Sequence, residues 1–260
     1  MTSLDFSFIN DAITSGGDRN LYIKDITVNG EHLTAVDADN PSSPGTWNLY
    51  QNRAIHYDTG GHQDLFFGSS TDDDTLDGGP GNNVIHGGAG NDLITGGTGN
   101  DQLYGDDGND HLIGGGGKDV MYGGAGQDKL EGGAQTARMF GGDGNDQLYG
   151  GSGNDNLSGD NGNDVLKGGA GNDYLSGGAG SDTFVFTPNF GHDVIAQFDD
   201  TAAAKDVIQF SKSVFADFND VRSHMAQVGT SVVITLDEHN SIEIQHTTLA
   251  HVGADHFWFV

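Results

Sequence analysis

Gly87-Gly88-Ala89-Gly90-Asn91-Asp92-Leu93-Ile94-Thr95 is one copy of a nine-residue unit, G-G-x-G-x-D-x-U-x with U apolar, and Gly150-Gly151-Ser152-Gly153-Asn154-Asp155-Asn156-Leu157-Ser158 is another. Twelve copies follow one another over residues 78–185 without an insertion. Gly at positions 1, 2 and 4 reaches backbone angles closed to other residues and lets carbonyls turn inward. Six residues should make a turn, and the last three a short strand whose middle residue faces inward. That inward column reads Ile85, Ile94, Leu103, Leu112, Met121, Leu130, Met139, Leu148, Leu157, Leu166, Leu175 and Phe184. Two units close one coil of 18 residues, which predicts two stacked parallel sheets. A Gly-rich linker would keep no apolar position in phase over such a length.

The composition agrees. Of 260 residues 44 are Gly and none is Cys, and the formal charge is −28. Acidity of this kind can mark disorder, but here the Asp residues recur at a fixed period, as ordered ligands would. The charge argues against nucleic-acid and anionic-membrane partners and for cations. No apolar run approaches the roughly 18 residues of a membrane span. Without Cys there is neither a disulfide nor thiol chemistry. Met1-Thr2-Ser3-Leu4-Asp5-Phe6 lacks the basic start and apolar core of a signal peptide, so secretion would need another route.

The unit resembles the calcium-binding nonapeptide of the RTX (repeats-in-toxin, hemolysin-type) family. The resemblance implies an all-β fold, a right-handed parallel β-roll, with calcium held by position-6 Asp and by turn carbonyls. Stacking of every second unit sorts the carboxylates into two rows. One holds Asp92, Asp110, Asp128, Asp146, Asp164 and Asp182. The other starts at Asn83, continues through Asp101 and Asp119, breaks at Ala137 and resumes at Asp155 and Asp173. The accompanying turn glycines are Gly88, Gly90, Gly97, Gly99, Gly124, Gly126, Gly142, Gly144, Gly151, Gly153, Gly169 and Gly171. Asp106 and Asp160 replace the second Gly in two turns, and Gln135 replaces the fourth in the unit over residues 132–140. That last turn is expected to keep the coil and lose its metal. One ion between successive complete turns gives about seven calcium ions.

Each unit buries one apolar side chain, worth roughly 1.5–3 kcal/mol, while ordering its backbone costs roughly 1–2 kcal/mol per residue before hydrogen bonds. Aligned carboxylates add repulsion. The array is therefore expected to need its cations to fold.

Residues 1–67 read as a β-sandwich-like segment. Leu21-Tyr22-Ile23-Lys24-Asp25-Ile26-Thr27-Val28 has strand composition and ends at an Asn29-Gly30 turn; residues 47–50 and 53–57 follow as strands after Pro41 and Pro44. Phe8-Ile9-Asn10-Asp11-Ala12 and Gly16-Gly17-Asp18-Arg19-Asn20-Leu21-Tyr22-Ile23 resemble the later half of a calcium-dependent xylan-binding carbohydrate-binding module. That resemblance implies that Asp11 and Asp18 ligate a calcium contacting sugar hydroxyls, and that the earlier strands of the module precede Met1. The residues alone also suit solvated loop positions.

Residues 68–186 form the roll, and 187–260 a mainly β cap. In the cap, residues 215–227 have the apolar spacing of a short helix, and residues 232–236 and 242–245 flank a turn at Asp237-Glu238-His239-Asn240. The cap is similar to those of serralysin-type proteases. This implies an uncleaved C-terminal signal for the type I secretion machinery, which Asp255 followed by Phe257-Trp258-Phe259-Val260 fits; a strand covering the last coil fits as well. Tyr104, Tyr122 and Phe140 recur at position 9 of alternate units and should stack, as a sugar platform or as cross-strand packing.

Catalytic motifs are missing. There is no H-E-x-x-H and no G-x-S-x-G. Matches to G-x-G-x-x-G arise from the repeat and lack a βαβ context. The sequence thus predicts a non-catalytic calcium-binding protein or fragment, secreted, extracellular or attached to the cell surface. It would fold on calcium outside the cell, with polysaccharide as a candidate partner. The alternative is an accessory C-terminal part of a secreted polysaccharide-acting enzyme (lyase, epimerase or glycanase) whose catalytic domain lies elsewhere.

Overall fold

Position 8 of the unit sets the architecture. All twelve residues of the inward column, Ile85 through Phe184, are fully buried. They form two facing columns because alternate units fall in opposite sheets. The computed structural model describes residues 4–10, 21–28, 31–33, 46–49, 55–58, 65–68, 73–201 and 204–260, with side chains from Phe66 onward. Asp11, Asp18 and the Asn29-Gly30 turn lie outside the described residues.

The strands are longer than the three residues expected. Val84–Ala89, Gln102–Asp107 and Tyr174–Ala179 each have six residues, running from position 7 of one unit through position 3 of the next. Positions 1 to 3 carry ordinary peptide groups, and these continue the ladder: Gly88 is in register with Asp106, and Asp106 with Gly124. Only positions 4 to 6 are left for the turn.

One sheet has thirteen strands and the other nine. In the larger, parallel strands run from Leu65–Phe67 through the roll to His192–Gln197 and Ser241–Ile244. Antiparallel strands finish both of its edges, Ile55–Asp58 and Thr46–Leu49 at one, Ser231–Thr235 and Met225–Val228 at the other. The smaller sheet runs from Thr75–Asp77 to Val207–Phe210 and Phe257–Phe259, parallel throughout. A separate antiparallel sheet joins Leu4–Asn10, Leu21–Val28 and Glu31–Leu33.

The apolar columns outlast the nonapeptides at both ends. Phe66 and Leu76 pair with Ile85 and Ile94; Ile195 and Ile208 pair with Leu175 and Phe184. Ile244 and Phe257 then cap the two columns, and all six of these added residues are buried.

The helix is shorter than its apolar spacing suggested. It spans Phe218–Ser223, with Asp217 accepting the N–H groups of Asn219 and Asp220 as its N-cap. Met225 does not continue it. Met225–Val228 turns through Gly229-Thr230, where Gly229 has φ +62°, into an antiparallel pairing with Ser231–Thr235. A sheet edge with open peptide groups competes for these residues more effectively than one further helical turn would.

Candidate metal sites

Each intact turn puts its position-6 carboxylate inside the coil. Asp92, Asp101, Asp110, Asp119, Asp128, Asp146, Asp155, Asp164, Asp173 and Asp182 are only 1–2 % exposed. One oxygen of each, Oδ1, accepts the backbone N–H of the matching residue one coil earlier. Asp74 donates to Asp92 at 2.7 Å, Asp92 to Asp110 at 2.7 Å, and Asp164 to Asp182 at 2.9 Å. In the other row Asn83 donates to Asp101 at 2.7 Å, Asp101 to Asp119 at 2.9 Å, and Asp155 to Asp173 at 2.8 Å. The second oxygen, Oδ2, is buried in all ten without a hydrogen-bond partner.

Position 1 shows what that oxygen faces. A methyl group added to Gly87 would lie 2.2 Å from Asp92 Oδ2 and 2.8 Å from the carbonyl oxygen of Gly105, one coil further on. At Gly123 the same two distances, to Asp128 Oδ2 and Gly141 O, are 2.4 and 2.5 Å, and at Gly150, to Asp155 Oδ2 and Gly168 O, both are 2.4 Å. The empty Cβ place of each of these three glycines is thus a cradle between two acceptors, about as far from each as calcium lies from its oxygen ligands, roughly 2.3–2.6 Å. Two buried acceptors facing one another with no donor between them need a proton or a cation. Burial pushes the carboxyls of Asp92, Asp101, Asp110, Asp146 and Asp155 up to about 6, against the pull of the N–H each accepts. It pushes Asp128 and Asp164 up to about 7. Among the described residues no three His, Cys, Asp or Glu side chains converge, so a cation here takes much of its shell from carbonyls. Hard oxygen donors of this kind fit calcium.

Two turns in the second row resolve the conflict in other ways. At Asn83 the amide Nδ2 takes the place of Oδ2 and donates to the Gly96 carbonyl at 3.2 Å. At Ala137 the oxygen is gone, and a methyl on Gly132 would meet Met139 Cε at 2.5 Å and Ala137 Cβ at 2.8 Å, so the cradle is filled with hydrocarbon. The coil persists through that turn: Ala137 N–H still reaches Asp155 Oδ1 at 2.7 Å, and Asn156 N–H reaches the Ala137 carbonyl at 3.0 Å.

The twelve turn glycines singled out at positions 2 and 4 all have positive φ, from 101° at Gly97 to 145° at Gly144. At position 4 the reason is close approach as well as angle. A Cβ on Gly108 would sit 1.6 Å from the carbonyl oxygen of Gly90. Asp106 and Asp160 adopt φ 73° and 72° at position 2, angles that Asp tolerates better than most residues.

Sequence reasoning missed a second polar ladder. Position 5 carries no role in the unit's sequence pattern, yet its side chain accepts the N–H of position 5 one coil later: Asn109 N–H to Asn91 at 2.9 Å, Lys118 N–H to Asn100 at 2.8 Å, Ser181 N–H to Asn163 at 2.7 Å. The Asp ladder points back along the roll and the Asn ladder forward. The recurrence of Asn at position 5 was the available signal. Asp74, Asp193 and Asp206, each 2 % exposed, were missed as well. Asp206 ends the first row, accepting Asp182 N–H on Oδ1 and Asp199 N–H on Oδ2.

The aromatic column is a true stack and longer than expected. Phe67, His86, Tyr104, Tyr122 and Phe140 lie with successive centroids 4.3–5.5 Å apart and planes within 15° of parallel. Ring faces are spent on neighbouring rings, and edges face outward. Arg138 lies 5.6 Å from the Phe140 centroid. Cross-strand packing explains this geometry; a saccharide platform would turn faces to solvent.

Comparison with known proteins agrees with this geometry. The family described as RTX calcium-binding nonapeptide repeat (4 copies) matches residues 68–103, 95–130, 104–137, 131–166 and 149–184. No curated protein matches the chain. Among solved structures, extracellular lipase LipA from Serratia marcescens is 24% identical over 69% of this chain and 40% of its own, with a TM-score of 0.33. The AlgE6R2 subunit of the Azotobacter vinelandii mannuronan C5-epimerase is 29% identical over 46% of this chain and 91% of its own, TM-score 0.35. The AlgE6R3 subunit of the same enzyme is 28% identical over 52% and 78%, TM-score 0.29. The chain thus spans well under half the length of the lipase.

Proposed function

Residues 68–184 belong to the RTX calcium-binding nonapeptide repeat family, and from that premise we propose that the chain is a secreted protein whose roll folds when calcium is millimolar and stays unfolded well below that. The observation that carries this reading is the two rows of buried carboxylate oxygens without a hydrogen-bond donor, eight of which face a glycine carbonyl one coil further on. Without a cation these acceptors oppose closure of every coil; with one they become its ligands. At about 1 mM calcium and a dissociation constant near 10⁻⁴ M, each site contributes roughly 1.4 kcal/mol by mass action. About seven such sites supply about 10 kcal/mol, the stability of an ordinary domain. Low calcium inside the cell would keep the chain extended enough to thread through an exporter, and higher calcium outside would lock it.

Far-ultraviolet circular dichroism of the full chain tests this. In chelator the β signal of the roll should be lost, and it should return cooperatively as calcium approaches millimolar. Full β-structure in chelator would overturn the reading.

Export by the type I machinery rests on the resemblance of the C-terminus, where Asp255 precedes the strand Phe257–Phe259. Removing residues 255–260 should abolish secretion from cells carrying such an exporter. Polysaccharide binding rests on the resemblance at Asp11 and Asp18; Asp18→Ala should then end calcium-dependent retention on xylan beads.

A further inference from the structure

We propose that the junction between Asn161 and Gly162 is a self-modification site, an intramolecular deamidation open to the uncoiled chain and closed off in the coil. The inference rests on the calcium-dependent folding proposed above, through which calcium would decide the state of the junction.

Asn161 and Gly162 are positions 3 and 4 of the unit over residues 159–167. Asparagine before glycine is the pair most open to this chemistry, because Gly places no side chain around its nitrogen and lets the backbone fold back. The Gly162 nitrogen attacks Asn161 Cγ and closes a cyclic imide. The bond from Cγ to Nδ2 breaks, and the amide leaves as ammonia with the proton of the Gly162 N–H. Water, the only other reactant, then opens the ring at either carbonyl and leaves aspartate or isoaspartate at position 161.

The coil keeps the reacting atoms apart. Asn161 ends the strand Asn156–Asn161, so its side chain stands off the sheet while the next N–H lies along the ladder. That Gly162 N–H is donated to the Ala179 carbonyl at 2.8 Å. The leaving amide is held as well, Nδ2 donating to Asp143 Oδ1 at 2.8 Å. A Cβ on Gly162 would sit 1.4 Å from the Gly144 carbonyl oxygen, so this peptide unit cannot swing without opening the neighbouring coil.

The same junction recurs with a carboxylate at Asp107-Gly108 and Asp143-Gly144. Those glycine N–H groups are tied in the same way, to the Ala125 and Asn161 carbonyls at 2.8 Å each. A carboxylate is a poorer electrophile than an amide, so Asn161 should react first.

Neither product fits the coil. A carboxylate at position 161 would face Asp143 Oδ1 where a donor now stands. Isoaspartate also routes the backbone through the side chain, one methylene longer, where the Asn161 carbonyl accepts the Gly144 N–H and Gly162 has no room to shift. The modification is therefore a one-way clock on the uncoiled chain: the longer it waits, the fewer copies can close this coil.

Peptide mapping by mass spectrometry, which separates this junction from Asn29-Gly30, tests the site on the full chain. Samples are aged at mildly alkaline pH in calcium, in chelator and in guanidinium chloride. Deamidation at position 161 should proceed in guanidinium and run at least about tenfold slower in calcium. Equal rates in those two, or no reaction in guanidinium, would overturn the proposal. The chelator sample reports on the calcium reading: reaction at the guanidinium rate supports it, whereas the calcium rate with the β signal intact would overturn that reading alone. Returned to calcium, aged wild type should regain less β signal the more of it is deamidated. Asn161→Ala puts there the residue that other coils carry as Ala89, Ala125 and Ala179. It cannot react and should recover more; equal recovery by both chains would overturn the clock.

Discussion

The turns that carry Asp155 and Ala137 lie in the same row, one coil apart, and have nearly the same strand backbone. They differ in what occupies the space beside the position-1 glycine. At Asp155 an unpaired carboxylate oxygen and the Gly168 carbonyl face each other across it. At Ala137 the Met139 methyl fills it. One turn leaves a buried acceptor for a cation to satisfy and the other does not. On the proposed function, backbone shape and metal demand are therefore separable in this fold: the apolar column and the sheet ladders hold the coil, and the carboxylate would set its dependence on calcium.

The strongest way to break that comparison is to remove calcium. As calcium is lowered toward the folding midpoint, turns with Asp should open first while the Ala137 turn has no electrostatic reason to, so hydrogen exchange at limiting calcium should leave the slowest amides of the roll around residues 130–140. Uniform protection across all coils would contradict the separation.

Glycine at position 4 comes next. Gly108→Ala places a Cβ 1.6 Å from Gly90 O at φ 149° and should cost about 3 kcal/mol or more in calcium. Gly153 follows the turn with Gln135, and its Cβ would meet nothing closer than 2.7 Å. Gly153→Ala should cost visibly less in the same thermal melt.

Restoring the broken turn tests the comparison from the other side. Gln135→Gly with Ala137→Asp should create two sites, Asp119 to 137 and 137 to Asp155. At 1 mM calcium this should add about 3 kcal/mol by the same mass action. The double variant should also need more calcium than wild type to begin folding, since it buries one more unpaired carboxylate.

Acidity should substitute in part for calcium. The folded-state carboxyls at about 6 to 7 lie above the ordinary value of 3.8, so the folded chain binds more protons than the unfolded one between about pH 4 and 7. Stability of the calcium-free roll should rise as pH falls through that window and decline as pH rises through it. The far-ultraviolet β signal in chelator, larger at pH 5 than at pH 8, checks the sign. The smallest effect is expected at Asn83→Asp, which trades the amide bond to Gly96 for one added calcium site and should shift the midpoint by about 1 kcal/mol or less.

Much of this was legible in the chain. The position-8 column, the division into two rows and the interruption at Ala137 follow from period alone, because a strict repeat in a coiled chain becomes a stack in space. The position-5 ladder was less legible, since Asn there suits any turn and nothing in its chemistry announces an acceptor for the next coil. Asp193 and Asp206 were hidden by spacings of 20 and 24 residues. Sheet register, not sequence distance, brings them into line: Tyr174 pairs with Val194 and Thr183 with Val207 regardless of the extra loop residues.

By itself, then, the sequence determined which side chains point inward and which carboxylates share a row, because both depend on a fixed period and on the alternation of side chains along a strand. Only the tertiary structure decided where the rows end and what fills each cradle. Those outcomes depend on contacts between residues a coil apart, such as Met139 against Gly132 or Asp193 under Asp173, and no local pattern in the chain encodes them.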